Sequence, residues 1–377
     1  MDKKKCALWC LMILVSSWVL SACSGGHGTS QPILQRFTTI SPVASTVPAN
    51  GDINPYGVAR VNNTMGNMIA GHILVSNFNN SANQQGTGST IVDVAPDGTV
   101  TLFAQINAGT LPGLCPGGVG LTTALVTLSS GWVIVGSLPT ADGTAATAQA
   151  GCLIVLDSMG NPVETISGSL INGPWDMTAA ESSGEAKLFV TNVLNGTIAA
   201  GGQVVNQGTV VRIDLKIAQG SMPTVEAITV IGGGFSERTD PAALVIGPTG
   251  VGLSPRGFND DAVVLYVADS LNNRIAVIPE ALNRTTSAGT GTTLSAGGSL
   301  NDPLGLVVSG DGRVLTVNGN DGFIIEITPD GAQVAKLQLD NTGGPPPGAG
   351  TLFGLAFDPI EGISFVDDGS NTLNLLH

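Results

Sequence analysis

The sequence predicts an all-β fold, a six-bladed β-propeller of four-stranded antiparallel blades closed by its N-terminal strand. Three observations carry this expectation. A pair of short β-branched strands recurs six times, and a small residue flanked by large apolar ones precedes each pair. The last unit is one strand short, while an unpartnered strand candidate stands ahead of the first.

The best-formed pair is Val263-Val-Leu-Tyr-Val-Ala268 and Arg274-Ile-Ala-Val-Ile278, joined by the polar turn Asp269-Ser-Leu-Asn-Asn273. Each strand is too short and too apolar to stand alone, so the hairpin belongs to something larger. The pattern returns as 72–77 with 90–98, 132–137 with 152–157, 187–192 with 209–214, 312–318 with 323–331, and 363–367 with 372–376. Upstream of these pairs stand Tyr56-Gly57-Val58, Val119-Gly120-Leu121, Trp175-Asp176-Met177, Val251-Gly252-Leu253, Leu304-Gly305-Leu306 and Phe353-Gly354-Leu355. A glycine kept at one position of a strand marks the close approach of another backbone, as six innermost strands around one axis require. Units of roughly 40–60 residues with four strands each, repeated six times, describe a propeller.

Pro303-Leu-Gly-Leu306 and Leu265-Tyr-Val-Ala-Asp-Ser-Leu-Asn-Asn-Arg-Ile275 resemble the two halves of the NHL repeat. The resemblance implies a six-bladed propeller over residues 33–377 and is sharpest in the fourth and fifth units. The amidating lyases that share NHL-type propellers depend on His-rich channel metal sites. This chain holds three histidines, His27, His72 and His377, at no metal-ligand spacing.

Closure of the ring follows from two oddities. The sixth unit ends after its third strand, and residues 33–40 have no partner in their own unit. Pairing residues 33–40 as the missing outer strand would join the two and cover an exposed sheet edge.

Residues 1–22 read as a lipoprotein signal peptide: Lys3–Lys5, an apolar run from Cys6 to Leu20, then Leu20-Ser-Ala-Cys23, which resembles a bacterial lipobox. The run is too short to span a bilayer. Acylated Cys23 would hold the mature chain to a membrane, each buried CH₂ contributing about 0.8 kcal/mol. Ser24 at the next position resembles the outer-membrane sorting pattern of Gram-negative sources. Residues 23–32 are a flexible tether, and 33–377 a single extracytoplasmic domain expected to be monomeric.

Formal net charge is −14, with 11% charged residues, which excludes nucleic acid as a partner. Hydrophobic residues make up 42% but aromatics only 4%, as suits sheet faces filled with Val, Ile, Leu and Ala. With Cys6 and Cys10 in the signal and Cys23 acylated, two thiols remain. Cys115 precedes the second inner strand and Cys152 begins that unit's third strand. Both segments meet on the upper face, where the chain enters its inner strands, so a disulfide is expected in an oxidising compartment. The alternative is two buried free thiols.

No nucleophile elbow, zinc-binding helix motif or phosphate loop is present. Gly232-Gly-Gly234 is an isolated glycine run in a loop read as 232–248. Asp176 stands where the other units carry glycine, at the axis. A carboxylate there would bind a ligand or a divalent cation in the channel, the one cofactor the sequence leaves room for. Its structural alternative is a bond to a neighbouring strand's amides. The acids and amides ending the central strands (Asn77, Asn192, Asp269, Asn318, Asp367, with Ser137) are read as fold determinants.

Two functional readings remain open. The first is a membrane-anchored binding or scaffold propeller, with no catalytic residue. It would present its long upper loops, 77–89, 138–151 and 193–208, to a protein, glycan or small molecule. The second is a metal-dependent hydrolase resembling the lactonase-type six-bladed propellers, with Asp176 assisted by Asn54, Asn172 or Asn301.

Overall fold

A computed structural model describes residues 31–218, 220–258 and 260–377. The signal segment and Cys23 lie outside the described residues. Within them the strands form six antiparallel sheets. The first is Ile53–Arg60, Ile73–Asn79, Thr90–Val94 and Val100–Gln105. The second is Leu121–Thr127, Val133–Ser137, Cys152–Leu156 and Pro162–Ile166. The fourth is Pro248–Leu253, Leu265–Asp269, Arg274–Ile278 and Thr292–Ala296, and the fifth Pro303–Val308, Val314–Asn318, Phe323–Ile327 and Gln333–Gln338. In each, consecutive strands are neighbours from the axis outward. This is the six-bladed β-propeller that the repeat predicts.

Central strands are buried on both faces because each blade lies between two others. Every residue of Ile73–Asn79 is buried, whereas the outer strand Gln333–Gln338 alternates half-buried with exposed. The core is a series of clusters between neighbouring sheets. Ile91 and Phe103 of the first blade meet Leu121, Val133 and Ile154 of the second, and Leu153 and Val155 meet Met177, Leu188 and Val190 of the third.

The sixth sheet is Leu352–Asp358, Gly362–Asp367 and Thr372–Leu376, completed by Ile40–Ser45. Closure by the N-terminal strand is therefore present, with a corrected register. Ile40–Ser45, rather than residues 33–40, pairs with the last strand, Ile40 opposite Leu376 and Ser45 opposite Thr372. Residues 33–36 form one helical turn with Ile33 and Leu34 buried, and the Leu34 amide donates to Glu326 Oε2 at 3.0 Å. Pro42 lies inside the closing strand. It is tolerated because an outermost strand leaves half its amides unpaired, and the register shifts beside it.

The third sheet departs most from expectation. Pro174–Ser182, Glu185–Asn192 and Val205–Lys216 are followed by a 17-residue strand, Thr224–Asp240, and a fifth, Leu244–Ile246. The segment read as a loop over 232–248 is mostly strand. Gly232 and Gly233 pair with Val210 and Thr209, and repeated register shifts bend the ribbon there.

In three blades the residue that ends the central strand holds the start of the inner strand. Asn192 Oδ1 accepts from the Asn172 amide at 2.8 Å, Asn318 Oδ1 from the Asn301 amide at 3.1 Å, and Ser137 Oγ from the Gly120 amide at 2.9 Å.

Candidate functional site in the axial channel

Inner-strand register follows from strand pairing. Pro55, Leu121, Pro174, Pro248, Pro303 and Leu352 lie opposite the residues that end the central strands. Two residues further on are Gly57, Thr123, Asp176, Gly250, Gly305 and Gly354. The glycine of the second and fourth units is thus corrected: Thr123, not Gly120, and Gly250, not Gly252, occupy the axial position. The reason for glycine is direct. A Cβ on Gly250 would lie 2.1 Å from the Leu304 carbonyl oxygen, one on Gly305 2.0 Å from that of Phe353, and one on Gly354 2.2 Å from that of Tyr56. Each blade's inner strand presses its backbone against the next.

Asp176 meets this constraint differently. Its Oδ2 accepts the Val251 amide of the next blade at 3.1 Å. Its own amide donates to Thr191 Oγ1, which in turn donates to the Thr249 carbonyl at 2.9 Å. The carboxyl is 7% exposed, and burial pushes its pKa up to about 7, against the pull of the Met177 and Val251 amides. The structural alternative for Asp176 therefore holds, but it is not the whole description.

Below Asp176 the channel is open. A cavity of about 610 Å³ runs from Asp176 and Thr123 along the inner strands to Arg60, Glu181 and Asp358. Arg60 pairs with Asp358 at 3.3 Å and with Glu361 at 3.0 Å. Thr123 Oγ1, beside Asp176 around the ring, is buried and has no hydrogen-bond partner within the protein. Asp176 and Thr123 are the two polar side chains at a level otherwise made of glycine.

Above Asp176 the channel is filled. Tyr56 stacks between Phe78 at 4.4 Å and Phe353 at 3.9 Å, with Trp175 at 6.4 Å. Leu304, Leu138, Leu194, Leu244 and Val245 belong to the same buried cluster. The last two come from a strap, the ribbon 235–246, which reaches from the third blade to the upper loop of the first, where Gln85 Nε2 donates to the Ala242 carbonyl at 2.7 Å. Three acids, Glu237, Asp302 and Asp368, are raised by burial. Glu237 is fully buried, and burial pushes it up to about 8 against the pull of the Asn195 amide. Asp302 is pushed up to about 6 by burial, with Asp240 adding to the shift, and Asp368 to about 7 by burial and then Asp367.

The three amides named from sequence do not join Asp176. Asn172 Nδ2 donates to the Leu194 carbonyl and Asn301 Nδ2 to Asp321, while the Asn54 amide donates to Asn371. Among the described residues no three His, Cys, Asp or Glu side chains gather where one metal ion could be held. At the level of Asp176 a divalent cation would find one carboxylate and Thr123, with Glu181 and Asp358 away at the mouth, so the residues do not fit the oxygen-rich cage such an ion takes.

Cys115 and Cys152 are joined, with Cα atoms 5.2 Å apart, tying the loop before the second inner strand to that blade's third strand.

The fold has known relatives. A gluconolactonase from Xanthomonas campestris superposes with a TM-score of 0.51 at 13% identity, covering 92% of this chain and 98% of that one. The calcium-binding protein regucalcin from Agrobacterium tumefaciens gives 0.52 at 13% identity, covering 89% and 93%. A luciferin-regenerating enzyme gives 0.51 at 12% identity, covering 89% and 94%. At these identities the likeness is one of fold. No protein-family profile matches the sequence. No curated protein matches it by sequence.

Proposed function

We propose that the lower half of the axial channel is the functional site and that the chain is a small-molecule hydrolase of the lactonase type, with Asp176 as general acid–base. One observation carries this reading: a single carboxyl with a pKa near 7 closes the inner end of a cavity sized for a small molecule. A carboxyl at that pKa takes a proton from an attacking water and returns it to a leaving alkoxide at neutral pH. Thr123 Oγ1 supplies an unused hydroxyl beside it. The gluconolactonase and regucalcin fold likeness supports a hydrolase over a scaffold. The metal-dependent form of this chemistry is not supported by the ligand set, so no step is assigned to a cation.

The second reading is a binding propeller that presents its upper loops to a protein or glycan. The filled upper channel favours it, since the strap makes that face a continuous surface. In both readings we propose the NHL-type repeat and an extracytoplasmic location, with Cys23 lipidated and the outer membrane as the site if the source is Gram-negative.

The deciding experiment offers purified protein a panel of γ- and δ-lactones and aryl esters while proton release is followed. Turnover with a pH dependence centred near 7, lost in Asp176→Asn and unaffected by chelator, supports the metal-free hydrolase. Turnover that vanishes with chelator overturns the metal-free step, and absence of turnover across the panel leaves the binding propeller.

A further inference from the structure

A second depression, of about 690 Å³, lies on the lower face between the hairpin turns of the second and third blades. Glu181 lines both this groove and the axial cavity, so the two adjoin at this residue. Its carboxylate is fixed in place. The Ser129 amide donates to its two oxygens at 3.0 and 2.8 Å, and Ser129 Oγ donates at 3.2 Å.

Trp132, half-buried, and Met65, 45% exposed, also line the groove. Gly131, with φ +90°, precedes Trp132 and lets Met65 of the first blade approach, since a Cβ there would meet Met65 Sδ at 2.1 Å. Ser130 and Ser182 also line the groove, and Ser130 Oγ is buried with no partner in the protein. Among the described residues lining it none is Lys or Arg.

This chemistry selects by exclusion. Glu181 repels anions with no cation to offset it, and a wholly apolar ligand would leave the serine hydroxyls and the carboxylate unpaired. An indole beside hydroxyls and a fixed carboxylate suits a ligand with CH faces and hydroxyl edges. We propose that this groove binds a neutral saccharide, its ring against Trp132 and its hydroxyls on Glu181 and Ser130. The inference is independent of the hydrolase reading, because it needs neither Asp176 nor turnover.

Trp132 and Trp175 are the tryptophans of residues 24–377, so Trp175→Phe isolates the Trp132 emission. Titration of this variant with uncharged tetrasaccharides of glucan, mannan and xylan type, and with tetragalacturonate, tests the groove. Calorimetry on the unsubstituted chain against Trp132→Ala repeats the test without relying on the variant's folding. Expected is saturable binding of at least one neutral saccharide, weakened about tenfold or more by Trp132→Ala and by Glu181→Gln, equivalent to about 1.4 kcal/mol. No saturation by any neutral saccharide to about 10 mM, a preference for tetragalacturonate, or binding indifferent to Trp132→Ala would overturn the proposal.

Discussion

The carboxyl of Asp176 accepts the Val251 amide at 3.1 Å across the boundary between the third and fourth blades. At the boundaries after the fourth, fifth and sixth blades that position is a glycine pressed against a carbonyl. One side chain thus links two blades and faces the cavity, and its protonation state reaches both.

Asp176 binds a proton in the folded protein that the unfolded chain releases near its ordinary value of 3.8, and its folded pKa is about 7. The folded state therefore holds more protons between these values, and stability falls as pH rises from 4 to 7, then levels. Asp176→Asn keeps the Val251 bond and removes the titration. Its stability should match the unsubstituted chain near pH 4 and exceed it at pH 8 by on the order of 2–4 kcal/mol. Denaturant melts at both pH values check this; equal differences at the two would refute it.

Glu237 has the same sign with a later end point, since its folded value lies near 8. Protonated it is a neutral buried group; ionised it is a buried charge within the strap, offset by the Asn195 amide and no cation. Glu237→Gln should leave the melting temperature unchanged at pH 5 and raise it by several degrees at pH 9. Hydrogen exchange over 235–246 should slow in the variant at pH 9, and unchanged exchange would place the cost elsewhere.

The Cys115–Cys152 bond closes a loop with a sequence separation of 37. In the chain-entropy model it contributes about 4 kcal/mol. Cys115→Ser with Cys152→Ser should lower the denaturation free energy by this order without altering the circular dichroism of the fold. A double variant as stable as the parent would show the bond to be absent from the protein as isolated.

Ring closure can be read by truncation. A chain starting at Gln31 should melt like the full mature chain, and one starting at Thr38 should lose the contacts of Ile33 and Leu34. One starting at Thr46 removes Ile40–Ser45 and should lose on the order of 5 kcal/mol, at about 1 kcal/mol for each strand hydrogen bond. If the last two chains melt alike, the strand adds nothing beyond the helical turn.

Cys23→Ala tests the anchor. The unsubstituted protein should sediment with membranes and the variant should not; identical fractionation would remove lipidation from the account.

The six-fold repeat was legible because a central strand buried on both faces must be apolar throughout, as in Ile73–Asn79. Blade register was less legible. In Thr249-Gly-Val-Gly252 two glycines compete for the axial position, and only pairing of Pro248 with Asp269 decides for Gly250. The closing strand lies further on than residues 33–40, since Pro42 is tolerated in a strand at an outer edge. The strap was missed because Gly232-Gly-Gly234 breaks the alternation that marks a strand, while long-range partners Thr209 and Val210 restore it. Asp176 was visible as the departure from glycine. The cavity below it was not, since it depends on which half of the channel Tyr56, Trp175 and Phe353 fill.

The pairing of Ile40–Ser45 with Thr372–Leu376 also governs how the molecule is made. These strands are separated by most of the domain, so their contact has the highest contact order in the fold and forms late. Until residues 372–376 have left the ribosome, and the translocon if the chain is exported, every intermediate is an open arc with unpaired strand edges at both ends. Such edges recruit other chains. Folding yield should accordingly depend on chaperones that shield the arc during synthesis, and a stop codon only a few residues early should cost more than the handful of contacts it deletes.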